Sequence, residues 1–165
     1  MQTIEWKNGS IDLSTPVVMG ILNITPDSFY DGGSYKNLDE ILSRAGKMIG
    51  EGAAILDVGA VSTRPEAEEV SEAGEWARLK PVLENLIKTF PKQCISVDTY
   101  RSRIAEKALD AGAAMVNDIS GGIFDDQMFD AVAGLQVPYI MMHIQGTPQT
   151  MQIAPEYNDV VDRKS

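Results

Sequence analysis

Cysteine is nearly absent from this sequence. Cys94 is the only one in 165 residues, so no internal disulfide can form and a reducing cytosol is the expected compartment. Histidine is as scarce, with His143 alone, and no Cys/His cluster is available for zinc. Positive charge is in deficit: 14 Lys+Arg stand against 24 Asp+Glu, a formal net charge of −10. Such an acidic chain is a poor match for nucleic acid or an anionic membrane as its main partner. No apolar run approaches the roughly 18 residues that span a bilayer, and Met1-Gln2-Thr3-Ile4-Glu5-Trp6 lacks the basic-then-apolar pattern of a signal peptide. No G-x-G-x-x-G follows an apolar run, no P-loop is present, and no Ser–His–Asp arrangement is evident, which removes nucleotide-hydride enzymes and P-loop NTPases. What remains is ordinary globular composition, 44% hydrophobic and 23% charged, which excludes disorder, collagen and coiled coil. The expectation is a soluble, acidic, cytosolic single domain.

Short apolar runs alternate with amphipathic ones. The runs at 17–22, 54–58, 94–97, 114–116 and 137–142 are apolar on both faces, as parallel strands covered on both sides require. Between them lie four helical patterns. The first places Leu38, Ile41, Leu42, Ala45, Met48 and Ile49 on one face, with Asn37 as N-cap and Asp39 and Glu40 in the first turn. The second, 71–90, contains Pro81, which predicts a kink or restart. The third spans 101–111, with Asp98 and Thr99 as competing caps, and the fourth spans 126–133 behind a cap at Asp125. Five βα units in tandem mean a parallel α/β sheet. Length favours a five-stranded doubly wound sheet over an eight-unit barrel, which typically needs about 250 residues. Either fold binds ligands at the carboxyl ends of its strands.

Polar residues stand at every one of those ends. Asn23 opens a long polar loop that closes on Gly32-Gly33, with the composition of a lid, and its carbonyl oxygen suits a hard cation such as Mg²⁺. Asp57 ends the second strand, followed by Ser62-Thr63-Arg64, two hydroxyls and a forked cation able to grip phosphate or carboxylate. Asp98 and Asn117 end the third and fourth strands and together suit a flat heterocycle with amide-like edges. At the fifth, Met142 is expected to pack in the core or on a ligand ring, and His143 to be structural.

The segments Gly20-Ile21-Leu22-Asn23-Ile24-Thr25-Pro26-Asp27-Ser28-Phe29, Asp57-Val58-Gly59, Ser62-Thr63-Arg64-Pro65, Ser96-Val97-Asp98-Thr99, Asn117-Asp118-Ile119 and Met142-His143-Ile144-Gln145-Gly146 together resemble the dihydropteroate synthase family, in its order, from about residue 17 to 152. The resemblance implies a (β/α)₈ TIM barrel in place of the open sheet, with about five βα units within a single pterin-binding domain over 1–165. It implies a transferase of folate biosynthesis that joins 6-hydroxymethyl-7,8-dihydropterin pyrophosphate to p-aminobenzoate, giving 7,8-dihydropteroate and pyrophosphate. The same family is the target of sulfonamides, uses Mg²⁺, and implies a cytoplasmic homodimer. By the same resemblance Asn23 contacts Mg²⁺ and pyrophosphate, Asp31 orders around pyrophosphate, and Thr63 and Arg64 touch pyrophosphate and p-aminobenzoate. Asp98 and Asn117 form the floor of the pterin pocket, Ile119 and Met142 pack on the ring, and Asp57 is a pocket carboxylate.

The family pattern continues with strands six to eight, which are not found in full before the last residues, Asp162-Arg163-Lys164-Ser165. Five of eight units leave the first and fifth strands with open edges, which predicts aggregation or edge-mediated dimerisation and little synthase activity for the chain made alone. Two other functions stay open at this point. One is a methyltetrahydrofolate-type pterin-binding methyltransferase, which shares the Asp98/Asn117 pair without needing Thr63-Arg64. The other is a non-catalytic pterin-binding remnant.

Overall fold

A computed structural model describes residues 3–24, 35–62, 70–147, 150–151 and 154–159. The five apolar runs form one parallel sheet: β3 (Val18–Asn23), β4 (Ala53–Gly59), β5 (Cys94–Asp98), β6 (Met115–Asp118) and β7 (Tyr139–Met141). Their order in space is their order in sequence, β3-β4-β5-β6-β7. A doubly wound sheet reverses direction at a switch point, and this one never does. The doubly wound arrangement that length favoured is therefore corrected to an arc of singly wound βα units, the arrangement from which a (β/α)₈ barrel is built.

Boundaries differ from the sequence reading by one or two residues, with one instructive case. The run at 137–142 contributes only Tyr139–Met141 to the ladder, because Pro138 has no N–H to donate. Its carbonyl still accepts from Val116 N at 3.1 Å. A feature the sequence reading did not contain is an N-terminal antiparallel hairpin, β1 (Thr3–Trp6) and β2 (Gly9–Asp12).

The sheet has two unlike faces. One packs on the helices α1 (Tyr35–Gly50), α2 (Glu72–Thr89), α3 (Ser102–Asp110) and α4 (Met128–Leu135) through Leu22, Leu56, Val58, Ile95, Val97 and Val116. The other carries a smaller apolar cluster of Ile55, Cys94, Ala114 and Met115 at its base, capped by Ile4, Trp6 and Ile11 of the hairpin.

Helix details depart from expectation where tertiary contacts outbid local signals. Helix α1 begins at Tyr35, so Asn37 lies inside it and does not cap it, and no acidic residue falls in its first turn. Helix α2 starts where its pattern predicts, and Ser71 caps it, the hydroxyl accepting from Gly74 N at 3.1 Å. It then runs through Pro81 as one helix, because Leu79, Val82, Leu83 and Leu86 are all buried and their packing outweighs one lost backbone bond. Neither Asp98 nor Thr99 caps α3, whose N-cap is Arg101. The Ser102 amide at its start donates instead to Asp125 Oδ2 at 2.7 Å. Asp125 also accepts from Gln127 N at 3.0 Å, which holds 125–127 in a turn and delays α4 to Met128.

Candidate active site

Parallel pairing places one residue from every strand on a single row: Asn23, Gly59, Asp98, Asn117 and Ile140 are successive register partners. Two residues earlier on the same face runs a second row, Ile21, Asp57, Ser96 and Met115. Two residues earlier again, Met19, Ile55 and Cys94 meet the apolar base under the hairpin. Strand periodicity thus stacks this face as an apolar floor, a polar layer and an open top row. Ile119 and Met142, two residues beyond Asn117 and Ile140, continue the face upward; Ile119 is half-buried and Met142 exposed. Met142 therefore does not join the core, the first of its two sequence-based options.

Within these layers Asn117 Nδ2 donates to Asp57 Oδ2 at 2.9 Å. The bond uses one of the amide's two donors and leaves Oδ1 and the other N–H for a ligand. Asp57 is only 2% exposed. Burial raises its pKa, opposed in part by the bond from Asn117. Asp57 Oδ1 and Ser96 Oγ are both buried with no hydrogen-bond partner among the described residues. Buried polar atoms of this kind are usually completed by a ligand or an ordered water. Asp98 stands above them with its pKa raised to about 7, first by burial and then by the charges of Asp57, Glu75 and Asp118. A Cβ on Gly59 would sit 3.0 Å from Asp98 Oδ2 and 3.3 Å from its Cβ, so the missing side chain at Gly59 is the space that Asp98 occupies.

Sequence reasoning missed the residues that hold this layer from behind. Glu75, 1% exposed on α2, accepts from Thr99 Oγ1 at 2.6 Å and pairs with Arg101. Arg101 also donates to the carbonyl of Val70 at 2.7 Å, and Arg78 donates to that of Ala60 at 3.2 Å. Two arginines therefore anchor backbone on either side of 63–69. The signal that could have found Glu75 was a carboxylate at a position where the helical pattern turns inward. Asp118, also missed, is fully buried and accepts from Ser120, Gly122 and Tyr139; an Asp preceding Ser120-Gly121-Gly122 is the pattern of a side-chain-stabilised turn.

Asn23 is exposed at the end of β3. Asp31, Thr63 and Arg64 lie outside the described residues, as does the expected lid from residue 25 onward. His143 is half-buried, with its ring edge-on to Tyr157 at 5.4 Å and its Nε2 buried without a hydrogen-bond partner among the described residues. Among the described residues no group of three or more His, Cys, Asp or Glu is placed to hold a metal, and no helix is long and apolar enough to cross a membrane.

The arrangement presents carboxylates and an amide to a ligand edge rich in N–H donors, next to an exposed asparagine. The family described as pterin binding enzyme matches residues 19–165. The Escherichia coli dihydropteroate synthase is 46% identical over 151 residues, covering 92% of this chain and 53% of that protein. A crystal structure of the Yersinia pestis dihydropteroate synthase with a sulfonamide drug complex superposes with a TM-score of 0.85 at 41% identity, covering 98% of this chain and 58% of that one. A Xanthomonas albilineans dihydropteroate synthase with 4-aminobenzoic acid gives 0.82 at 37% identity, covering 98% and 56%. The chain spans 53% of the length of the Escherichia coli enzyme and 20% of the Schizosaccharomyces pombe folic acid synthesis protein fol1.

Proposed function

The chain belongs to the family of pterin-binding enzymes, and from that membership we propose that it carries the pterin-binding part of a dihydropteroate synthase. The observation that carries this reading is the cross-strand trio of Asp57, Asp98 and Asn117, an acidic, partly unsatisfied polar layer at the carboxyl end of a parallel sheet. A pterin offers that layer a 2-amino-4-oxo edge with several N–H donors and an acceptor. Asp98 accepts from the ring, and Asn117, held through its amide by Asp57, supplies its free oxygen and N–H. Ile119 and Met142 cover the ring faces.

In the proposed reaction the bond from the pterin methylene to the diphosphate oxygen breaks, with its electron pair leaving on pyrophosphate. The arylamine nitrogen of p-aminobenzoate forms the new C–N bond and loses a proton. No protein nucleophile is needed. The chain's own contribution is to fix the pterin plane and aim its methylene past Asn23, with Thr63 and Arg64 assigned to the diphosphate and p-aminobenzoate and Asp31 to the product pyrophosphate.

Mg²⁺ is assigned to Asn23, exposed at the end of β3, whose amide oxygen would hold the ion together with substrate phosphate oxygens and water. When bound it would neutralise charge on the departing diphosphate. A cytosolic location is supported by the lone, buried Cys94.

Isothermal titration with 6-hydroxymethyl-7,8-dihydropterin pyrophosphate, followed by a pyrophosphate-release assay with p-aminobenzoate, tests the reading. Saturable binding at one site is expected, lost in Asp98→Ala. Affinity unchanged by that substitution rejects the proposal. The assay then separates turnover from binding alone.

A further inference from the structure

Asp118 follows Asn117, so strand alternation turns its side chain to the opposite side of β6, away from the site row. It is completely buried. Its Oδ1 accepts from Ser120 N at 2.7 Å and Ser120 Oγ at 2.8 Å, and its Oδ2 accepts from Gly122 N at 2.9 Å and the Tyr139 hydroxyl at 2.7 Å. Its carbonyl accepts from Gly121 N at 3.2 Å and Met142 N at 3.0 Å. One residue therefore ties β6, the turn 118–122 and β7 together, across a backbone approach so tight that a Cβ on Gly121 would lie 2.4 Å from the Met142 carbonyl oxygen. The carboxylate's lone pairs are fully used, so it has none left for a ligand.

We propose that Asp118 is a positioning residue of the ligand pocket, acting through its neighbours Asn117 and Ile119 and, by its carbonyl, through Met142. The three side chains assigned to the pterin ring on this side all hang from the backbone that Asp118 holds. Each bond to the carboxylate stabilises one turn geometry, and that geometry sets the height of Ile119 and the exit of Met142 relative to Asn117. Tyr139 adds the lateral constraint, since its strand is the partner of β6.

The inference rests on the pterin reading, and the test keeps the two apart. Asp118→Asn keeps the shape but has a single acceptor oxygen, so half of the four side-chain bonds are lost. Tyr139→Phe removes one donor and guards against a variant that fails to fold. Affinity for 6-hydroxymethyl-7,8-dihydropterin pyrophosphate is measured per folded molecule by calorimetry, with the folded fraction from circular dichroism. The same samples give the Asn117 side-chain amide resonances and the hydrogen exchange of the Met142 amide. Asp118→Asn is expected to weaken pterin binding at least tenfold, Tyr139→Phe two- to fourfold, and both to shift the Asn117 resonances and accelerate Met142 exchange. A purely structural role predicts a lower melting temperature with affinity per folded molecule within twofold of the parent, and that result overturns the proposal. If the parent chain binds no pterin, the binding reading fails. The positioning role is then decided by the resonances and exchange, which unchanged would overturn it.

Discussion

At Asp98 burial and three neighbouring carboxylates act in one direction, lifting its pKa to about 7. The sign follows directly: the folded protein favours the protonated acid while the unfolded chain ionises near 4. The group's contribution to stability is therefore full below about pH 4 and is lost as pH rises to about 7, a change on the order of 4 kcal/mol. Urea denaturation of the parent and of Asp98→Asn between pH 4 and 8 is expected to show the variant gaining relative stability across that window. A gap independent of pH contradicts it. Pterin N–H groups need the ionised acceptor, so affinity should rise from pH 6 to 8 and level off. Gly59→Ala places a methyl against Asp98 and should weaken pterin binding about tenfold with little change in melting temperature, since the backbone there is ordinary strand; calorimetry decides. Asp57, Asp98 and Asn117 were legible in the sequence because each stands at the end of an apolar run, where a polar or charged group needs a reason. Gly59 was not, because a space belongs to a neighbour's side chain and leaves no mark of its own.

Helices and strands could be read largely from periodicity, and where they were misread a local turn or a contact distant in sequence decided. The delayed start of α4 follows from the turn in which Asp125 accepts from Gln127 N, whereas α2 passes Pro81 without a restart because Leu79, Val82, Leu83 and Leu86 pack into a core built by elements distant in sequence. The buried Glu75–Arg101 pair is of this type and links α2 to the loop after β5. Removing one partner strands a buried charge, so Arg101→Met should destabilise by about 3–5 kcal/mol, and Glu75→Leu in addition should recover much of that loss. Equilibrium unfolding of both singles and the double reads the coupling. At the other end of α2, Ser71→Ala removes the cap bond to Gly74 and should cost about 1 kcal/mol. The hairpin of β1 and β2 escaped the sequence reading because its strands are only 4 residues each and its apolar residues, Ile4, Trp6 and Ile11, acquire meaning only against the base of the sheet.

Taken as a whole, the molecule is an arc of parallel strands whose outer members, β3 and β7, have no further partner among the described residues. Val18 and Ile21 on one edge strand are 63% and 53% exposed, and Met141 on the other is 41% exposed. Length misled the fold reading because a doubly wound sheet and part of a barrel need the same number of residues; strand order, which length does not encode, separates them. The central claim is that the tips of these strands form one pterin site. Its most direct test is calorimetric titration of 6-hydroxymethyl-7,8-dihydropterin pyrophosphate into the folded chain and its Asp98→Ala and Asn117→Ala variants. One site, lost or weakened at least tenfold in both folded variants, is the predicted result. A folded chain that binds equally well without those side chains, or not at all, contradicts it.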